Sequence, residues 1–555
     1  MSIATSYPGV YVTEVPSGNR TVTGVATSIT AFVGVARRGP VDVPVPISNF
    51  SEFERAFGGL VRTSGLGYAV RDFYLNGGGP ALVVRVAHLD DADADLQATA
   101  ARLAVGGLTL EAIGPGAWAN GLEATVEHPA DPDATDIAAG QGVEADDLFT
   151  LTLRLGDEVE VYRNVTVVDG PARVTHLLAS SRLVRATGSA PTTRPAASGV
   201  DADGALVPVT VATADQGSDG GPVGADDYTG GGRGLLALET VDLVNILVVP
   251  PPTPAGELDA SVWPVAADLA RRRRAFLVID PPPGLALDDV GTFVTDAAVT
   301  GENARYAALY YPRVRHADPL RGGQLDTFAP GGAVAGVFAR TDGGRGVWKA
   351  PAGLEAALTG VVGLEQDLTN DANGRINPVG VNALRTFRDA GSVVWGARTL
   401  RGSDVLSDDY KYVPVRRLAN FLEESLYRGT QWVVFEPNDE PLWAQVRLSV
   451  GAFMQDLFRR GAFQGTSPRD AFFVRCDAET TTQLDVDRGV VNIQVGFAPL
   501  KPAEFVIISV QQKTAAGGAE RPPPPGAPPP PRQCRAWTKV RTESASRTLS
   551  VFRRY

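Results

Sequence analysis

Four histidines, two cysteines and scattered carboxylates are the residues of this 555-residue chain that acid–base, nucleophilic or metal chemistry would use. A Ser-His-Asp arrangement needs a histidine able to shuttle a proton to and from a serine. His88, His128 and His176 fall in or beside a stretch of β character, and His316 lies in Arg313-Val314-Arg315-His316-Ala317-Asp318-Pro319, which reads as a polar loop after a strand. No serine sits in a Gly-x-Ser-x-Gly elbow, so His316 is expected to be a surface histidine. There is no His-Glu-x-x-His and no Cys-x-x-Cys. Asp367, Asp371, Asn373 and Gly374 resemble a calcium loop but lack the closing glutamate, so the segment reads as a polar turn. Gly77-Gly78-Gly79 has no following Lys-Ser/Thr and is a turn rather than a phosphate loop. Catalytic, metal-binding and cofactor-binding residues are therefore read as none, and no cofactor is expected.

Composition narrows the function classes further. Hydrophobic residues make up 44% and charged residues 21% of the chain, as in soluble multidomain proteins. A net charge of −12 opposes a phosphate backbone, so nucleic acid is excluded as a partner. The run Arg271-Arg272-Arg273-Arg274 reads as the end of a helix, where cations complement the dipole. No apolar run approaches the roughly 20 residues that span a bilayer, and the N-terminus has no basic, apolar leader, so neither membrane insertion nor export is expected. Cys476 and Cys534 are too few for a disulfide framework, which favours synthesis in the reducing cytoplasm.

With no reactive centre to position, the elements must serve something else. Phe472, Val474 and Cys476 alternate along one predicted strand, and Val491, Ile493, Val495 and Phe497 along a second over Val490–Phe497. Phe505, Val506, Ile507, Ile508 and Val510 form a third that is apolar nearly throughout and demands cover on both faces. Two amphipathic helices, with Leu418, Phe421, Leu422 and Leu426 on one and Leu442, Val446, Val450, Phe453 and Leu457 on the other, should pack beneath these strands. At the other end of the chain, Val10, Tyr11, Val12, Thr13 and Val15 form a strand between Pro8 and Pro16. Strands at Ala31–Gly34 and Ala81–Val86 flank helices at Phe50–Phe57 and Gly67–Leu75. A β stretch follows, with a hairpin turning at Gly156-Asp157, and then a long Gly-rich loop from Gly188 to Gly232. Strands at Leu243–Val249, Ala275–Ile279, Tyr306–Tyr311 and Val393–Ala397 alternate with helices near Ala260–Ala270, Asp288–Ala298 and Gly331–Arg340, the rhythm of a doubly wound parallel sheet.

Several stretches resemble contractile tail sheath proteins, the sheaths of phage tails and of related contractile injection systems. They include Pro8-Gly9-Val10-Tyr11-Val12-Thr13-Glu14-Val15, Gly217-Ser218-Asp219-Gly220, Gly346-Val347-Trp348-Lys349-Ala350-Pro351, Gln431-Trp432-Val433-Val434-Phe435-Glu436-Pro437-Asn438, Ala471-Phe472-Phe473-Val474-Arg475-Cys476-Asp477 and Ala498-Pro499-Leu500-Lys501-Pro502. Gly114-Pro115-Gly116-Ala117-Trp118-Ala119-Asn120 is similar to the family's Gly-x-Trp-Gly-Asn turn, with Ala119 in place of a glycine. The resemblance implies an α/β and α+β multidomain protein: a donor arm at 1–21, an N-terminal α/β domain at 22–95, an inserted β domain on the outer surface at 96–232, a subtilisin-like α/β domain at 233–400 and a C-terminal domain at 401–513. Residues 514–555, a Pro-rich linker and basic segment, stand outside the pattern and are expected to touch the acidic sheath itself.

The function implied is structural. Subunits would stack as sixfold rings around an inner tube, joined by donor strands Val10–Val15 and Phe505–Val510 laid on acceptor strands Phe472–Cys476 and Val491–Phe497 of other subunits, and the sheath would contract to drive the tube through a target envelope. Partners implied are the chain itself, the tube protein, and baseplate and cap proteins; Arg459 and Arg460 are expected to meet the tube. A degenerate hydrolase on the subtilisin-like domain, or a minor collar or cap subunit, stay as alternatives.

Overall fold

The computed structural model describes residues 21–507 apart from 90–92, 130–133 and 189–190. The Val10–Val15 strand, Ile508, Val510, Cys534 and the 514–555 segment lie outside the described residues. The chain divides into two compact units, Met1–Pro502 and Ala503–Tyr555. The break falls before the expected donor strand, so Phe505–Ile507 belong to the second unit.

An eight-stranded sheet is the core of the first unit. Its order across the sheet is Gly391–Val394, Asn382–Phe387, Ala307–Tyr311, Phe276–Ile279, Ile246–Val248, Thr30–Val35, Ala81–Val86 and Val45–Ile47. The inner six are parallel, and the strand at each edge is antiparallel. Residues of the expected 22–95 and 233–400 domains thus share one sheet, because Thr30–Val35 pairs directly with Ile246–Val248. The sequence hides that pairing behind an insertion between the two strands, while both strands are too apolar to stand at a sheet edge.

Both faces of the sheet are covered, and the strands show it in period two. Ala31, Val33, Leu247 and Leu277 enter one core with Trp263, Ala266 and Ala270 of the helix Val262–Arg272. Phe32, Val248, Phe276 and Val278 enter the other with Phe53, Phe73, Val334 and Phe338. The helix Phe50–Phe57 starts where Asn49 accepts the Glu52 N–H at 2.9 Å and stops at Gly58 in the left-handed region. Helices Leu66–Leu75 and Gly331–Arg345 approach closely because Gly332 and Gly336 carry no side chain: a Cβ there would lie 2.1 Å from the Ala69 carbonyl and 2.5 Å from that of Phe73.

The expected Val393–Ala397 strand is shorter, Gly391–Val394, and turns back antiparallel on Asn382–Phe387, a strand the alternating rhythm did not reveal. The Asp367–Gly374 turn is partly a helix, Asn370–Ile376, capped by Thr369. The arginine run ends its helix: Arg271 and Arg272 pair with Asp268, and Arg274 reaches Glu424 at 2.7 Å.

Residues 101–211 gather a core of their own around Leu103, Leu110, Trp118, Leu151 and Leu153. A four-stranded sheet there includes the hairpin Phe149–Leu155 and Glu158–Val165, which turns at Gly156-Asp157, and a three-stranded sheet packs beside it. The Gly188–Gly232 loop is more ordered than its composition suggests. Asn120 exchanges two hydrogen bonds with the Gly217 backbone, at 3.0 and 2.7 Å, and Asp219 accepts the Ala117 N–H at 3.0 Å. The buried Arg85 guanidinium ties this insertion to the main sheet by donating to Ala36, Gly39 and Pro115 carbonyls, and burial lowers its pKa to about 10 against the pull of Asp219.

Candidate functional site

The C-terminal part of the first unit is built on two long helices. Val413–Gly429 and Glu440–Arg459 bury Leu418, Leu422, Leu442, Val446, Val450, Phe453 and Leu457 in one core, with Phe421 and Leu426 packed at its margin. Asp439 caps the second helix, and Pro441 occupies its first turn. On this layer lies an antiparallel pair, Phe472–Arg475 with Gln494–Phe497, in the register Phe472↔Phe497 and Val474↔Val495.

The expected acceptor residues divide cleanly. Phe472, Val474, Val495 and Phe497 are in the pair, half-buried, with their apolar faces on the helices. Cys476 is a buried free thiol just past the first strand, and burial pushes its pKa up against the pull of Arg447. Val491 and Ile493 pack on the same core but precede the second strand, which begins only at Gln494 and not at Val490. The physical reason is local: the Asn492 N–H goes to the Thr481 hydroxyl at 3.1 Å instead of to a ladder partner. Phe473 and Arg475 face away from the helices, exposed, with the guanidinium over the Phe473 ring at 5.2 Å.

Each strand of this pair has the other as its only partner among the described residues, so each keeps a free outer edge. A two-stranded sheet is marginal without further strands or a supporting layer. In the second unit, Phe505, Val506 and Ile507 form no strand in the single chain and are 74%, 81% and 90% exposed.

Arg459 and Arg460 close the helix Glu440–Arg459 and are exposed. Arg460 lies 4.0 Å from Asp456 and covers the Trp348 ring at 5.5 Å, so part of its charge is already engaged. The outward face of that helix carries Ala444, Gln445, Leu448, Ala452 and Asp456, of which Ala444, Leu448 and Ala452 are small or apolar. The sequence pattern of buried positions did not single out Leu448, or Phe435, whose ring is fully exposed in the loop between the two helices at φ 70°.

His316 corrects the sequence reading. It lies in the strand Val314–Asp318, 3% exposed, stacked on Phe328 at 3.8 Å. Its Nδ1 lies 2.9 Å from Arg71 Nη2, and its Nε2 3.1 Å from Asp72. Both ring nitrogens are thus engaged, which suits a buried cross-brace rather than a base open to substrate. Among the described residues, no group of three or more His, Cys, Asp or Glu could hold a metal ion, and no helix is long and apolar enough to cross a membrane.

Comparison with known proteins agrees with this architecture. The phage tail sheath protein central domain matches residues 221–400, and the phage tail sheath C-terminal domain matches residues 406–513, together just over half of the chain. These matches, on a fold of mixed α/β layers with a two-helix C-terminal layer and its two-stranded sheet, put the chain in the class of sheath-type proteins. The chain belongs to the contractile tail sheath protein family. Among solved structures, it is 25% identical to the helical sheath of the anti-feeding prophage in its contracted state, over 92% of this chain and 100% of that one, with a TM-score of 0.53. The sheath of the extracellular contractile injection system PVC, also contracted, is 22% identical over 92% and 99%, with a TM-score of 0.55. The sheath tail protein of Listeria innocua is 16% identical over 86% and 96%, with a TM-score of 0.55. No curated protein matches the chain.

Proposed function

We propose that this protein is the main subunit of a contractile sheath in a phage-tail-like particle, polymerising as stacked sixfold rings around an inner tube and shortening to drive that tube through a target envelope. The observation that carries the reading is the two-stranded sheet, whose outer edges are free among the described residues, in a chain that also exposes three consecutive large apolar residues at Phe505–Ile507. Two edges suit two donors: Val10–Val15 of one neighbour and Phe505–Val510 of another, each adding a strand by backbone hydrogen bonds. Each bond contributes about 0.5–1.5 kcal/mol net, and burial of each large apolar side chain adds about 1.5–3 kcal/mol. Links of that strength hold subunits together while their bodies slide, with Pro16–Arg20 and Pro499–Pro502 as hinges. The likeness to sheaths solved in the contracted state supports the same reading. Arg459, Arg460 and the Leu448 face of their helix are the proposed tube contact, and baseplate and cap proteins the partners at the two ends.

Two variants test the linkage. Deleting residues 1–16, or introducing Ile507→Pro to remove a ladder donor, leaves a monomer with wild-type thermal unfolding that forms no tubes in negative-stain micrographs. Sheaths of normal length from either variant would overturn the mechanism.

A further inference from the structure

The carboxyl ends of the parallel strands open onto a cavity of about 180 Å³. Pro251, Trp263 and Phe293 are among its walls, and three carboxylates, Glu257, Asp280 and Asp296, line it; among the described residues no Lys or Arg does, the buried Arg313 lying behind the lining on the Pro254 carbonyl. Crevices at this end of an open α/β sheet are where such folds take ligands. Asp280 directly follows the strand Phe276–Ile279 and is only 5% exposed. One of its oxygens accepts the Gly331 N–H at 2.6 Å, and the other is buried with no hydrogen-bond partner among the described residues. A Cβ on Gly331 would lie 2.8 Å from both oxygens, so the helix must open with glycine for the carboxyl group to sit there.

Size and charge select the ligand. A volume of about 180 Å³ is well below the 300–1,000 Å³ typical of sites for nucleotides or drug-sized molecules, and fits one short alkyl chain. Carboxylates against an aromatic wall favour a cation on an apolar shaft. An ammonium fits better than a guanidinium, whose two-pronged donor set wants a carboxylate with both oxygens available. We propose that this cavity is a binding site for a single alkylammonium group, its head on the unpartnered Asp280 oxygen and its carbon shaft along Trp263 and Pro251. The site goes beyond the sheath reading and does not depend on it.

Burial holds the Asp280 carboxyl at about 7, against the pull of Arg313 and the Gly331 amide. An ammonium favours the ionised carboxylate, so binding expels the carboxyl proton to solvent and strengthens as pH rises. Titration calorimetry of the purified chain with n-butylammonium chloride should give saturable binding, with a dissociation constant on the order of 1 mM at pH 8. The affinity should fall about tenfold at pH 6, with measurable proton release. 1-Butanol, of matching shape and no charge, should not bind. Asp280→Asn should abolish binding; should that variant not fold, Glu257→Gln with Asp296→Asn, both at the exposed rim, should weaken it severalfold. An Nα-blocked lysine amide identifies the source: binding equal to that of butylammonium assigns the cavity to a lysine of another protein, and exclusion assigns it to a free amine. No saturable binding of butylammonium, equal binding of butanol, or unchanged affinity in the carboxamide variants would overturn the proposal. Sheath assembly is imaged on the same preparations, so normal tubes without amine binding sink only this site, and amine binding without tubes sinks only the sheath reading.

Discussion

Phe435 is the residue whose cost the monomer does not explain. A bulky side chain in the left-handed region costs about 1–2 kcal/mol, and a fully exposed ring recovers none of it by burial. A contact made only in an assembly would recover it. Phe435→Gly is therefore expected to keep or raise thermal stability, by up to about 1 kcal/mol, while lowering the yield of sheaths; a wild-type yield would assign the ring no role between subunits. Asp280 makes a second residue-scale prediction. Its folded pKa of about 7 stands above the ordinary carboxylate value of 3.8, so the folded state binds the extra proton between those limits. Stability attributable to Asp280 is then greatest below about pH 4 and declines as pH rises to 7. Relative to Asp280→Asn, the wild type should lose a few kcal/mol of unfolding free energy across that window, measured by denaturant titration at each pH. An identical pH profile for the two proteins would show the carboxyl to be solvated. Single residues were the least legible level of the sequence. His316 carries the flanking polar residues of a surface loop, and only the approach of Arg71 and Asp72, some 245 positions away, makes its burial tolerable.

Elements were far more legible, because their signals are local. The helix Val413–Gly429 shows its face by spacing alone, and the 156–157 turn fixes its hairpin. Strand partners were not legible, since Thr30–Val35 and Ile246–Val248 carry no mark of each other. The same holds for the joint between layers. Arg417 of Val413–Gly429 and Asp342 of Gly331–Arg345 form an ion pair at 2.6 Å, each about 3% exposed, and the same guanidinium donates to the Thr27 carbonyl at 2.9 Å and covers the Phe338 ring at 4.8 Å. Burial raises the Asp342 pKa in spite of Arg417. Arg417→Met strands that carboxylate and should destabilise the fold by about 3–5 kcal/mol, whereas Arg417→Met with Asp342→Leu should recover most of the loss. A double variant no better than the single would show that the arginine acts through Thr27 and Phe338 instead.

At the scale of the whole molecule, the net charge of −12 sets the terms on which the sheath meets anything inside it. An acidic tube would be repelled by the average surface, so the proposed contact requires a local basic or apolar face. The end of Glu440–Arg459 offers both: Arg459 and Arg460 at its tip, and Ala444, Leu448 and Ala452 along its outward side. Complementation of the helix dipole is the competing role for the two arginines, and the dipole effect is confined to the last turn. The two readings differ in what charge reversal disturbs. If the arginines serve only their own helix, Arg459→Glu with Arg460→Glu lowers monomer stability slightly, since exposed charges contribute little, and leaves particles intact. If they grip the tube, the monomer unfolds nearly as before but the sheath no longer co-sediments with purified tube. Raising salt toward about 1 M, where screening shortens to about 3 Å, should loosen the wild-type pairing in the same direction. A variant that assembles on tubes and contracts normally, with only a small loss of thermal stability, would assign the arginines to the helix end and leave the Leu448 face to carry the contact.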